Sequence, residues 1–226
     1  MPLHLIQRRA IWWPTWPVWT CLFALSALPF LLWCFQGEAF LASSRPLPAE
    51  VLVVEGWIGN KGLQAAESEF ARGGYRYIVA TGGLTGARWY RRRWSYATEA
   101  EEFLLNGGMP REKVIVAIPR ETEEHRTYES ALAVRLALHD RGIRPQAINV
   151  FTMGAHARRS RLVFAKVLQP EAEVGVVAWS PPGYFAGPWW RSSDRANNLL
   201  KETIGWLFEV LLNSGRTSNS PETPKS

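Results

Sequence analysis

Five short apolar runs punctuate the chain: Val51-Leu52-Val53-Val54, Tyr77-Ile78-Val79-Ala80, Val114 to Ile118, Ala147 to Phe151 and Val174 to Ala178. Each is rich in β-branched residues and carries no alternating polar face, the pattern of strands covered on both sides. Their bounds are expected near Glu50–Val54, Arg76–Ala80, Lys113–Ile118, Ala147–Thr152 and Glu173–Ala178. Between them, Gly62–Arg72, Tyr96–Asn106, Thr127–Arg141 and His156–Leu168 repeat at helical spacing, and a last helix is expected near Ala196–Leu212. Its Leu199, Leu200, Ile204, Leu207, Phe208 and Leu211 form an apolar face expected to pack back on the sheet. Strand–helix alternation predicts an α/β fold with a parallel sheet, right-handed crossovers and helices on both faces.

A different pattern precedes this domain. Val18 to Phe35 is uncharged and interrupted only by Thr20, Ser26 and Pro29. About 18 residues is near the lower limit for crossing a roughly 30 Å hydrocarbon core. Arg8 and Arg9 precede the run and Glu38 is the first charge after it. The positive-inside rule then puts residues 1–17 in the cytoplasm and the chain beyond Gln36 outside. Trp12, Trp13, Trp16 and Trp19 at one end, with Trp33 at the other, suit an aromatic belt. The competing readings are a cleaved signal peptide, which Glu38-Ala39-Phe40-Leu41-Ala42 fits poorly, and a buried core helix, which the all-round apolar pattern disfavours. A single-pass anchor in the cytoplasmic membrane is expected, followed by an extended linker at 36–48, the α/β domain at 49–212 and a disordered polar tail at 213–226.

Cys21 and Cys34 are the only cysteines and both fall in the anchor. The domain therefore has no disulfide, thiol nucleophile or thiolate metal site. The net charge of +6 includes the run Arg88-Trp89-Tyr90-Arg91-Arg92-Arg93-Trp94. Basic residues interleaved with aromatics suit single strands of nucleic acid, but an extracytoplasmic position removes that partner. A loop resting on anionic lipid, a clamp over an anionic ligand and a merely solvated loop remain open.

In a parallel sheet the strand-to-helix loops leave one edge, where α/β proteins bind ligands. Glu55, Thr81-Gly82-Gly83, Glu121, Thr152, His156 and Arg159 are expected to converge there, with Glu99 opening the helix after the glycines. His156 and Arg159 share a helical face at i, i+3. The Gly-Gly turn and a helix N-terminus offer N–H donors to an anion. His156 is the candidate acid or base, its ordinary pKa lying nearest neutrality. Glu55 and Glu99 are the candidate acids beside it, with Thr81, Gly82, Gly83, Thr152, Arg159, Glu121 and Thr127 contacting the ligand. Each has a plainer reading: a tight turn for the glycines, dipole compensation for Glu99, an N-cap for Thr127, surface pairing for Arg159. One well-placed imidazole argues against a metal site, and the turn is neither a GxGxxG fingerprint nor a Walker loop.

The ordered set Val53-Val54-Glu55-Gly56, Thr81-Gly82-Gly83, Glu99 with Gly108-Met109-Pro110, Thr127-x-Glu129, Thr152-x3-His156-x2-Arg159 and Glu202-x2-Gly205 resembles the ElyC/SanA/YdcF family of bacterial envelope proteins. The resemblance runs from Pro48 to about Leu211. Met153, Ala155, Ser130 and Glu50 depart from residues common in that family. It implies a Rossmann-like three-layer α/β/α sandwich, a place in peptidoglycan or surface-polysaccharide assembly, and an anionic or lipid-linked ligand, with envelope assembly proteins as further partners. Binding of S-adenosylmethionine, reported for one member, would imply a nucleotide-type pocket, and the resemblance leaves the cofactor and the reaction open. Two alternatives stay open: an S-adenosylmethionine or nucleotide binder, disfavoured by an extracytoplasmic domain, and a non-catalytic scaffold.

Overall fold

The computed structural model describes residues 14–84, 94–122 and 124–212. The cytoplasmic N-terminal expectation up to residue 13, the basic loop apart from Trp94, and the polar tail lie outside them. The chain divides into two compact units that meet at Gly37 and Glu38.

Helix α1 (Trp16–Leu41) is apolar on every side and contains Pro29. Its most apolar window has a mean hydropathy of 2.0 and none of it is buried. At 1.5 Å per residue, its 26 residues extend about 39 Å. It is long and apolar enough to cross a membrane.

The second unit carries β1 (Val51–Glu55), α2 (Gly59–Gly73), β2 (Tyr77–Thr81), α3 (Tyr96–Asn106) and β3 (Val114–Ala117). These are followed by α4 (Arg126–Asp140), β4 (Ala147–Met153), α5 (Ala157–Leu168), β5 (Glu173–Trp179) and α6 (Ser193–Leu211). All strand pairs are parallel, in the order β3-β2-β1-β4-β5. Alternate strand residues feed two cores. Val51, Val53, Val79, Ile115, Ile148 and Val150 pack with α4 and α5 through Val134, Leu138 and Phe164. Leu52, Val54, Ile78, Ala80 and Phe151 pack with α2 and α3 through Leu63, Ala66 and Leu104. Burial on both faces is why these strands read as unbroken apolar runs.

The structure differs from the sequence reading in two places. The stretch 36–48 is not simply an extended linker. Helix α1 continues to Leu41, which is fully buried, and Arg45 pairs through its backbone with Val176 in β5. Gly175 permits that crossing, because a Cβ there would lie 2.9 Å from Arg45 O and Leu47 N.

The larger correction concerns α6. Of the six residues expected to pack on the sheet, only Leu199 is buried; Leu200, Ile204, Leu207, Phe208 and Leu211 are exposed. The inward face instead carries Arg195, Glu202 and Glu209. They meet Glu38, the Arg159–His156 pair and Lys166, respectively. Buried charges hold only where partners exist, and all three have them.

Candidate functional site

The strand order reverses direction between β1 and β4, and ligands of open α/β sheets bind at such switch points. Glu55 ends β1 there, fully enclosed at 3% exposure. Its carboxylate accepts hydrogen bonds from the hydroxyls of Thr152, at the end of β4, and Ser160, one turn into α5 (3.1 Å).

Gly154 (φ 53°) opens a short 3₁₀ turn, Gly154–His156, between β4 and α5. That left-handed conformation suits glycine. The turn brings His156 back over Glu55, with Nε2 3.4 Å from its Oε2. The other ring nitrogen, Nδ1, lies 3.0 Å from Glu202 Oε2 on α6. Arg159 grips the same carboxylate with Nε (2.7 Å) and Nη2 (3.1 Å), and its Nη1 donates to Thr127 Oγ1 on α4 (3.2 Å). A Cβ at Gly205 would lie 2.9 Å from Arg159 Cδ and Nε, so the glycine one turn after Glu202 leaves room for the arginine stem. Trp57 packs edge-on against the imidazole, the two ring centroids 5.1 Å apart.

The cluster is neutral when His156 is protonated: two carboxylates, one guanidinium, one imidazolium. Burial alone would favour a neutral imidazole, but Glu55 and Glu202 outweigh burial and Arg159, and His156 is pushed above its usual range. Burial likewise opposes the charge on Glu55 and Glu202. The charge and hydrogen bonding of His156 override it for both, with the Thr152 and Ser160 hydroxyls assisting Glu55 and Arg159 assisting Glu202; both carboxyls lie below the ordinary range. Arg159 Nη2 also lies 2.9 Å from His156 Nδ1. A neutral ring would accept that hydrogen bond, whereas the imidazolium donates from Nδ1 to Glu202. Arg159 thus favours the neutral ring and Glu202 the charged one, and the two carboxylates together outweigh the guanidinium.

The glycine turn packs against the start of α3. Glu55 and Thr81 are register partners, so the turn does leave the sheet beside β1. Yet Gly83 O accepts from Tyr96 N (2.9 Å) and Gly82 O from Ala97 N (3.3 Å), while Ser95 Oγ caps Thr98 N. The first N–H groups of α3 are thus satisfied by protein. Gly82 (φ 146°) is required by close packing, a Cβ there lying 2.8 Å from Tyr96 Cβ. Gly56 is required more strictly, since its Cβ would come within 2.1 Å of Tyr96 O.

Glu55, Thr152, His156, Arg159 and Thr127 are therefore in one hydrogen-bonded cluster, with Thr81 and Gly82 adjacent along the sheet edge. Thr81 Oγ1 donates to Ala117 O (2.9 Å) and is buried. Glu99 is exposed on α3, Gly83 is half-buried, and Glu121 is exposed in the loop between β3 and α4. Sequence reasoning did not assign roles to Ser160, Trp57 or Glu202. Ser160 stands at i+4 from His156, a signal available from spacing. Glu202 had appeared only within the resemblance, and its distance of 46 residues from His156 hides the contact from local pattern. Among the described residues, no group of three or more His, Cys, Asp or Glu side chains is arranged to hold a metal ion. A shallow open depression of about 270 Å³ lies elsewhere, along α3 between Trp94 and Arg111.

No family model, curated protein or solved structure matches this chain.

Proposed function

We propose that this protein is a membrane-anchored component of cell-envelope biogenesis, with an extracytoplasmic α/β domain that acts on a phosphorylated or lipid-linked cell-wall or surface-polysaccharide precursor. The observation that carries the reading is His156, enclosed between Glu55 and Glu202 at the β1–β4 switch point. A buried titratable group with a perturbed pKa at a ligand-binding edge marks a functional site. His156 is the candidate general acid, with Glu55 beside Nε2 and Glu202 beside Nδ1. Arg159 has its donors committed to Glu202 and Thr127, so its role is to position the acid pair. The anchor is α1, with the N-terminus inside on the strength of Arg8 and Arg9. The resemblance of the ordered motifs to those of the ElyC/SanA/YdcF family supports the process, and the acid-lined site supports an enzyme over a scaffold.

His156→Gln should lower turnover by about 10²–10⁴-fold, the usual worth of a general acid. Phosphorus-containing lipids and glycans extracted from cells carrying only this variant should then show one accumulating precursor, at unchanged protein abundance. An extract identical to wild type would sink the enzymatic reading. A phosphatase reporter fused after Ser226 tests the topology separately, and inactivity there would place the domain inside.

A further inference from the structure

Helix α6 turns its apolar side outward. Leu200, Ile204, Leu207 and Leu211 recur at spacings of four, three and four, and are 57, 67, 42 and 71% exposed. Val210 and Leu212, on the flanks of the stripe, are exposed as well. Such spacing makes one stripe on a helix, here opposite the buried Arg195, Leu199 and Glu202. A contiguous exposed apolar surface marks an interaction site.

What covers the stripe follows from where α6 is tied. Glu38 is the third residue beyond Phe35, the end of the apolar run, or about 4.5 Å of helix rise. Arg195, in the first turn of α6, forks onto the Glu38 carboxylate, with Nε 3.0 Å from Oε1. Trp206, further along α6, meets Phe40 edge-on at 5.2 Å. Arg158 lies over the Phe40 ring at 3.6 Å and donates to its carbonyl. The residues with which the chain leaves its apolar span are thus clamped to α6 at two points. The flanks suit a bilayer interface: Phe185 and Trp190 are half exposed just before the helix, and Arg191 and Lys201 are exposed, against Asp194 as the single exposed acid of α6.

We infer that the α6 stripe is a lipid-docking surface that seats the domain on the phospholipid interface of the membrane holding α1. The inference rests on the reading of α1 as a membrane span. It also deepens the proposed function, because the opposite face of α6 supplies Glu202. The His156 site then stands about one helix diameter, 10–12 Å, above the lipid, within reach of a substrate whose lipid tail stays in the bilayer.

The test uses the full chain in nanodiscs of phosphatidylethanolamine and phosphatidylglycerol. An environment-sensitive fluorophore is placed on single cysteines: native Cys21 in α1, Ile204→Cys and Leu211→Cys on the stripe, and Leu136→Cys, an exposed residue of α4. The unlabelled native cysteines are changed to serine. Nitroxides on the lipid chains should quench the two stripe labels at least roughly half as strongly as Cys21 and leave Leu136→Cys bright, as expected of a helix seated in the interface. The exposed-site pair Leu207→Glu with Leu200→Glu should abolish quenching at Ile204→Cys without lowering Tm. Stripe labels quenched only by aqueous iodide would overturn the inference. So would labels shielded from both quenchers, which would mean that protein, such as a second copy, covers the stripe. An unquenched Cys21 would instead remove the anchor reading itself.

Discussion

Glu202→Ala should destabilise the domain by about 3–5 kcal/mol, the cost of stripping one partner from a buried charge pair. Glu202 is 2% exposed and receives the Arg159 fork together with His156 Nδ1. Its removal leaves a guanidinium and an imidazole enclosed, with Glu55 as the remaining acid near the ring. The cavity left by the side chain adds to the loss. Glu202→Gln keeps the shape and one acceptor for Arg159 but not the charge, so it should fall between alanine and wild type. Urea denaturation of the three proteins decides the matter. A loss under about 1 kcal/mol for the alanine variant, the range of exposed pairs, would mean that the cluster is not held by this acid.

Truncation should divide sharply between Gly37 and Pro48. Removing residues 1–37 leaves the second compact unit intact, and it should fold alone. Removing residues 1–48 deletes Leu41, whose full burial is worth about 2–5 kcal/mol by analogy with leucine-to-alanine losses. It also deletes the partner of Arg195. Asn149, wholly buried in β4, would lose two hydrogen bonds to the Leu47 backbone (2.9 and 2.8 Å) and keep only Tyr75 OH. Together these losses are comparable with the whole stability of a domain this size. The longer fragment should be soluble with a cooperative melt and the shorter one should aggregate. Equal behaviour of the two would show that residues 38–48 are dispensable.

The strands and their parallel pairing were legible because burial on both faces leaves a local signature, a short unbroken apolar run. The convergence of Glu55, Thr152 and His156 followed from that topology, since successive parallel strands deliver their ends to one edge. What sequence could not supply was direction around a helix. Amphipathicity locates an apolar stripe on α6 but is silent on which side faces in, and Arg195, Glu202 and Glu209 find partners far away along the chain. The same blindness kept Glu202 out of the candidate acids and put forward Glu99, which the sheet edge suggested but which the structure leaves exposed. The glycines of the Thr81-Gly82-Gly83 turn carried a true signal of close approach. At Gly82 the approaching group is the first turn of α3, a contact that composition cannot distinguish from a ligand.

The central claim is that His156 is an imidazolium held between Glu55 and Glu202. Its folded pKa is raised above 6.5, so its contribution to stability is complete below 6.5 and is lost as pH rises through the folded value. Glu55 and Glu202 have folded values below 4.5, so theirs is complete above 4.5 and is lost as pH falls through those values. The direct measurement is the nitrogen-15 NMR spectrum of the His156 ring in the fragment beginning at Glu38, followed from pH 5 upward. Both ring nitrogens should lose their imidazolium shifts at a higher pH than an ordinary histidine, whose pKa is 6.5. A ring that becomes neutral at or below that ordinary value would contradict the account.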